Sequence, residues 1–195
     1  MHRTFKKNVY MGTIIILSSS IRTGRKSHRV AEFIASAIQS EGVHQAEIHD
    51  LNHYQFPLFE ERLKFLSNPL PELQSLSDAI RAASGVIIVS PEYNGSYPAA
   101  LKNVIDVFTD EWRMKPIGLC AVSGGHFGGA QLIQALNFTL WKIGAWVVPA
   151  SFQVPFVDKS FKEDGSTEDT EGLQKRLKLL TDKLYWCMEA HARMQ

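Results

Sequence analysis

The sequence has only two cysteines, Cys120 and Cys187, among its 195 residues. Two thiols are too few for the dense disulfide framework that stabilises many small secreted domains. Both lie in apolar segments, one predicted to be a strand and the other a helix. We therefore expect two reduced core thiols in a cytoplasmic protein.

The numbers of basic and acidic residues are nearly equal: 21 lysines and arginines and 20 aspartates and glutamates give a formal net charge of +1. No overall field therefore favours a nucleic acid or an anionic membrane as a partner. No apolar run is long enough to span a bilayer, and residues 13–17 are too short for the core of a secretory signal. We expect one soluble domain over residues 1–195, with residues 1–11 as a loose N-terminal tail.

Two familiar nucleotide-binding motifs are also absent. The Walker pattern would need glycine where Ser19 stands and lysine where Arg25 stands. The dinucleotide-binding pattern G-x-G-x-x-G does not follow the first predicted strand either. These departures disfavour a P-loop NTPase and a Rossmann dinucleotide-binding domain.

The sequence does have a regular alternation of strand and helix patterns. Five short apolar runs predict strands, at residues 13–17, 46–51, 85–89, 116–122 and 145–148. Apolar residues at helical spacing predict five helices, the last with one apolar face over residues 173–188, and residues 149–169 are predicted to be a loop. The α/β alternation predicts a single doubly wound, five-stranded parallel sheet with the flavodoxin-like order 2-1-3-4-5.

In that order, the loops after strands one, three and four emerge side by side at the carboxyl edge of the sheet. The first of these loops, residues 18–27, combines hydroxyl groups, Arg22, Arg25 and the start of a helix. Free N–H groups and the positive end of the helix dipole favour an anion there. The composition is typical of a phosphate site, and the alternative is a basic surface turn in which Ser27 caps the helix.

The other two loops have the composition expected beside a planar ring. In residues 90–98, Pro91 and Pro98 stiffen the chain, and Tyr93 and Asn94 offer an aromatic face and an amide. In residues 123–129, four glycines let the main chain approach a ligand closely. The alternative is that both loops are turns whose prolines and glycines serve backbone geometry alone.

These motifs resemble those of the NADPH-dependent FMN reductases, a flavodoxin-like family that includes quinone, azo-dye and chromate reductases. The resemblance covers about residues 13–148. It rests on S-x-R-x-x-R-x-S at 20–27, P-E-Y-N-G-S at 91–96 followed by A-L-K-N, and S-G-G-x-x-G-G at 123–129. Many members of the family have Gly-Ser where this chain has Ser19-Ser20.

The resemblance implies where FMN is bound. Its phosphate is expected to contact Ser20, Arg22, Arg25 and Ser27. The isoalloxazine ring is expected to lie between two groups of residues, the first being Pro91, Glu92, Tyr93, Asn94 and Gly95. The second group is Ser123, Gly124, Gly125 and His126.

The resemblance also implies a reaction. NADPH, with NADH as the alternative donor, would pass a hydride to bound FMN, which would then reduce a quinone, an azo compound, a metal oxyanion or free flavin. The flavin supplies the chemistry, so no catalytic side chain and no metal is expected. This agrees with the absence of H-E-x-x-H, G-x-S-x-G and a His and Cys metal spacing. A flavodoxin-type electron carrier and a non-catalytic flavin-binding regulatory protein are the alternatives.

A loop rich in aromatic residues, 52–61, predicts an interface. By the resemblance, Tyr54, Phe56 and Phe59 would cover the flavin of a neighbouring subunit in a homodimer or homotetramer. The alternative is a monomer in which this loop folds on its own surface. Lys102 and Asp106, four residues apart on a predicted helix, are expected to pair with each other.

Overall fold

The computed structural model describes residues 11–195, so residues 1–10 of the predicted tail lie outside the described residues. Five parallel strands form one sheet in the order β2-β1-β3-β4-β5, which confirms the predicted topology. The strands are β1 Thr13–Ser18, β2 Gln45–Asp50, β3 Gly85–Pro91, β4 Pro116–Val122 and β5 Trp146–Val154. The register of β1 sets Ser18 beside both Asp50 of β2 and Val89 of β3.

Helices cover both faces of this sheet. They are α1 Ser27–Glu41, α2 Pro71–Ala82, α3 Ala99–Val107, α4 Ala130–Lys142, the short α5 Val157–Ser160 and α6 Thr170–Met194. Successive side chains of a strand point to opposite faces. Accordingly, Ile14 and Ile16 are buried with α1 and α6, whereas Ile15 and Leu17 are buried with α2 and α3.

The last helix lies close to the sheet, as its apolar face predicts. Its buried stripe is Leu173, Leu177, Leu180, Leu184 and Met188. A Cβ atom at Gly85 would lie 2.9 Å from the Met188 sulfur, so the helix packs closely on the strand at this position. Among residues 11–195, no helix has both the length and the apolar character that a membrane crossing needs.

The prediction that the fifth strand ends at residue 148 is wrong, because β5 continues to Val154. Pro149 suggested a loop, since proline cannot donate a ladder hydrogen bond. However, Ile117 of β4 pairs with Val147 of β5, and the next pair is Leu119 with Ser151. Pro149 therefore lies in an irregularity of the pairing between the two strands. Proline is tolerated at such a position in an edge strand.

Both cysteines are buried and unpaired, as predicted. Burial raises the pKa of the Cys120 thiol and of the Cys187 thiol, so neither forms a thiolate readily. We expect iodoacetamide to leave both thiols unmodified in the native protein and to alkylate both in denaturant, as measured by mass spectrometry. Rapid alkylation of either thiol under native conditions would contradict the buried positions.

Candidate functional site

The loops after β1, β3 and β4 meet at the carboxyl edge of the sheet and surround a cleft of about 470 Å³. The predicted site residues that line the cleft are Ser20, Arg22, Arg25, Ser27, Pro91, Glu92, Tyr93, Ser123 and Gly124. The remaining predicted residues, Asn94, Gly95, Gly125 and His126, lie in the same loops but outside this lining. The structure therefore brings most of the predicted residues together around one cleft.

The first loop is attached firmly to the sheet before it turns into α1. The Ser19 N–H donates to the Val89 carbonyl of β3 at 3.0 Å, and Ser19 and Ser20 are buried. Gly24 then adopts a left-handed conformation, with φ of 70°, that directs the chain into the helix. Of the buried serines at the start of the loop, Ser20 lines the cleft.

The Ser27 hydroxyl oxygen is buried and has no hydrogen-bond partner within residues 11–195. Residue 26, at the cap position of α1, makes no side-chain capping bond either. Ser27 therefore does not act as the cap that the alternative interpretation of this loop requires. A buried hydroxyl without a partner is unfavourable, so an acceptor or donor entering the cleft would satisfy it.

The two arginines of the first loop have different surroundings. The Arg22 guanidinium is exposed and makes no ion pair with the described part of the chain. Arg25 forms a bidentate ion pair with Asp50 at the end of β2, and its Nη1 also donates to the Ser20 carbonyl at 2.7 Å. Asp50 was missed in the sequence analysis. The only sign of its role in the sequence is that it is a carboxylate at the end of the second predicted strand, which is expected to lie beside the first strand.

A second ion pair joins two residues that line the cleft. Lys26, from the first loop, pairs with Asp158 of α5, and both side chains are about half exposed. Asp158 was also missed, because α5 falls in the segment predicted to be a loop. The cleft therefore has two carboxylates near its cationic side, Asp50 behind Arg25 and Asp158 beside Lys26.

The loop after β3 is a tight turn. The N–H and carbonyl groups of Tyr93 and Ser96 bond to each other at 2.8 and 3.0 Å, with Asn94 and Gly95 between them at positive φ. This arrangement is typical of a two-residue turn with asparagine and glycine at its centre. The Tyr93 hydroxyl lies 2.8 Å from the Ser20 hydroxyl oxygen, so the turn is joined to the first loop.

The Glu92 carboxylate has a structural partner. The Leu132 N–H, in the first turn of α4, donates to Glu92 Oε2 at 3.2 Å. A carboxylate at this position stabilises the start of a helix, because the N–H groups of the first turn lack partners within the helix. Glu92 thus links the loop after β3 to the helix that follows β4.

The glycine-rich loop after β4 approaches the sheet closely. Gly128 and Gly129 have φ values of 60° and 83°, and a Cβ atom at Gly129 would lie 2.7 Å from the Ala121 Cβ atom. Earlier in the loop, the Ser123 hydroxyl accepts a bond from the Gly125 N–H at 2.9 Å. The His126 ring is exposed, with its centroid 5.9 Å from that of Phe156. His126 therefore lies at the outer rim of the site.

The aromatic loop is partly folded onto its own chain. Tyr54 and Phe56 stack with ring centroids 5.0 Å apart and pack against the core, whereas Leu58 and Phe59 are exposed. Asn103 of α3 holds this loop through the Phe59 N–H, at 2.6 Å, and the carbonyl of residue 57, at 2.7 Å. On the same helix, the predicted pairing of Lys102 with Asp106 is confirmed.

Comparison with known proteins gives a consistent set of relatives. The model of a family described as NADPH-dependent FMN reductase matches residues 13–159. An NADPH azoreductase of Bacillus sp. (strain OY1-2) is 29% identical over 137 residues, which are 70% of this chain and 72% of the relative. A quinone reductase of Pseudomonas putida is 32% identical over 60% of this chain and 63% of its own length.

The solved structures show the same fold. The flavoenzyme NAD(P)H:(acceptor) oxidoreductase FerB of Paracoccus denitrificans superposes with a TM-score of 0.73, at 22% identity, over 89% of this chain and 97% of FerB. At this identity the similarity concerns the arrangement of strands and helices. It agrees with the strand order described above.

Proposed function

Because this chain belongs to the family of NADPH-dependent FMN reductases, we propose that it binds FMN in the cleft at the carboxyl edge of its sheet. The observation that carries the proposal is the buried, unpartnered hydroxyl of Ser27, in a cleft that is also lined by Arg22, whose guanidinium is unpaired within residues 11–195. A terminal phosphate offers several acceptor oxygens and two negative charges, which suit both groups.

At the phosphate end, four residues and a helix would act together. Ser27 would donate its hydroxyl, and the first free N–H groups of α1 would point toward the phosphate. Arg22 would supply the charge that no carboxylate of residues 11–195 neutralises. Ser20 would be held in place by Tyr93, and Arg25 by Asp50.

At the ring end, the turn after β3 and the loop after β4 would border the two sides of the isoalloxazine. The first border consists of Pro91, Glu92, Tyr93, Asn94 and Gly95, and the second of Ser123, Gly124, Gly125 and His126. Their main-chain groups would orient the ring, and Glu92 would keep the two borders at a constant separation through α4. Bound FMN would supply the chemistry of hydride and electron transfer between NADPH or NADH and the acceptor, so no side chain has to act as a nucleophile.

The proposed acceptors are small molecules that accept electrons from a reduced flavin. The names of the two relatives, an azoreductase and a quinone reductase, support azo compounds and quinones. Metal oxyanions and free flavin belong to the same proposal. The balanced formal charge of +1 gives less support to an electron carrier, which would need a strongly charged face for its partner proteins.

We also propose that the protein is a cytoplasmic homodimer or homotetramer. The two unpaired thiols support a reducing compartment. Exposed Leu58 and Phe59 support contacts between subunits, and so do the exposed rings of Phe138 and Trp141, which lie next to each other on α4. Sedimentation of the purified protein as a monomer at micromolar concentration would contradict the assembly.

An anaerobic visible spectrum tests the proposed reaction. We expect the purified protein, supplied with FMN, to bind the flavin and to lose its visible absorption within seconds after NADPH is added. Bound flavin that stays oxidised with both NADPH and NADH would contradict the reductase and favour the carrier. Failure to bind FMN would overturn the proposed function altogether.

A further inference from the structure

A buried carboxylate lies behind the phosphate end of the cleft without lining it. Asp50, the last residue of β2, is 3% exposed. Both terminal nitrogens of Arg25 donate to it, and the Asn52 N–H donates to its Oδ1 at 3.0 Å. Burial alone would raise the pKa of Asp50, but these bonds and the nearby positive charge lower it below the ordinary value. Asp50 is therefore ionised at neutral pH.

Arg25 connects this carboxylate to the first loop. Its Nη1 donates to Asp50 and also, at 2.7 Å, to the Ser20 carbonyl. The guanidinium is planar and rigid, so two bonds to Asp50 determine the direction of its other N–H groups. The position of the Ser20 main chain in the cleft consequently depends on a residue in a different strand.

Two histidines also face Asp50. His28 Nδ1 of α1 lies 3.5 Å from Asp50 Oδ2 and 3.1 Å from the Ser18 hydroxyl oxygen. His53 Nε2 lies 3.9 Å from the same carboxylate oxygen, and its side chain is exposed. Neither makes the bidentate contact of Arg25, so Arg25 is the main partner of the carboxylate.

We propose that Asp50 is a positioning residue for the phosphate end of FMN, acting through Arg25 on the Ser20 main chain. The proposal rests on the proposed function, because it assigns a role within the same cleft. Asp50 itself does not contact the phosphate. It holds the first loop in its binding conformation before FMN arrives. This lowers the conformational entropy that the loop loses on binding.

Asp158 provides a comparison in which the change in charge is the same and the expected effect on FMN binding is opposite. Substitution of either aspartate by asparagine removes one negative charge from the cationic side of the cleft. Asp158, however, lines the cleft and pairs with Lys26, so it competes with an incoming phosphate. The Asp158→Asn variant should bind FMN more tightly than the wild-type protein, because it removes a competing carboxylate from the lining of the cleft. The Asp50→Asn variant should lose affinity despite the same change in charge.

The experiment is a fluorescence titration of the flavin-free protein with FMN and, separately, with riboflavin, which lacks the phosphate. We expect Asp50→Asn to weaken FMN binding by about tenfold, the lower end of the loss caused by removing an orienting partner at metal sites. Riboflavin affinity should stay within about twofold of wild type, since riboflavin lacks the phosphate that the first loop is proposed to hold.

A double variant identifies the route of the effect. If Asp50 acts through Arg25, the Asp50→Asn substitution should add no further loss in an Arg25→Gln background. If Asp50→Asn does not fold, Asp50→Glu serves instead, because it keeps the negative charge and displaces the carboxylate from its bidentate geometry with Arg25. It should weaken FMN binding and leave riboflavin binding unchanged.

The titrations also separate this proposal from the proposed function. Unchanged or tighter FMN binding by Asp50→Asn would overturn the positioning role, and so would an equal loss of FMN and riboflavin affinity. Additive losses in the double variant would overturn the route through Arg25. Failure of the wild-type protein itself to bind FMN would instead overturn the proposed function on which this role depends.

Discussion

Gly129→Ala is expected to destabilise the protein by about 2–5 kcal/mol, the sum of a backbone cost and a packing cost. Gly129 has a φ of 83°, a left-handed conformation that alanine adopts only with strain. The new Cβ atom would also lie 2.7 Å from the Cβ atom of Ala121, which is buried in β4. Neither β4 nor the start of α4 can move without disturbing the loop between them. Urea unfolding followed by circular dichroism measures the loss.

Gly124→Ala is the matched control for this substitution. Gly124 belongs to the same loop, but its φ is not positive, and a Cβ atom there would have no other atom within 4 Å. Its unfolding free energy should stay within about 0.5 kcal/mol of the wild-type value. Equal stability of the Gly129→Ala and Gly124→Ala variants would show that the loop relaxes around the added methyl group, contrary to the expectation.

Arg22→Ala is expected to weaken FMN binding by about 1.5–3 kcal/mol, the usual contribution of a hydrogen bond to a charged group. This corresponds to a roughly ten- to hundredfold higher dissociation constant. Arg22 lines the cleft and has no ion-pair partner in the described residues 11–195, so its charge is available to a phosphate. Riboflavin affinity should not change. Because the side chain is exposed, added salt should reduce the difference between variant and wild type.

Arg113→Ala tests whether this loss is local. Arg113 is an exposed arginine that precedes β4 and so lies near the opposite, amino-terminal edge of the sheet. The substitution removes the same charge from the protein but should leave the FMN titration unchanged. Similar losses in both variants would indicate a general electrostatic effect and contradict a phosphate contact at Arg22.

Periodicity in the sequence was sufficient to predict the fold. Apolar runs mark β1 and β3 because both faces of these central strands are covered by helices. The stripe on α6 is equally clear, since a helix packed along a sheet buries one face over its whole length. The prediction failed at β5, where Pro149 interrupts an edge strand without ending it.

The sequence by itself indicated the α/β fold class, through its alternating strand and helix patterns, and the three loops that surround the cleft, whose motifs resemble those of the family. Only the tertiary structure decided what the individual charged residues of the first loop do. Arg22 and Arg25 have equivalent places in the motif, yet Arg25 meets Asp50, and Lys26 meets Asp158. The two residues of each pair are far apart along the chain. The parallel register of β1 and β2 brings Asp50 to Arg25, and the path of the chain after β5 brings Asp158 to Lys26. No local sequence pattern specifies either approach.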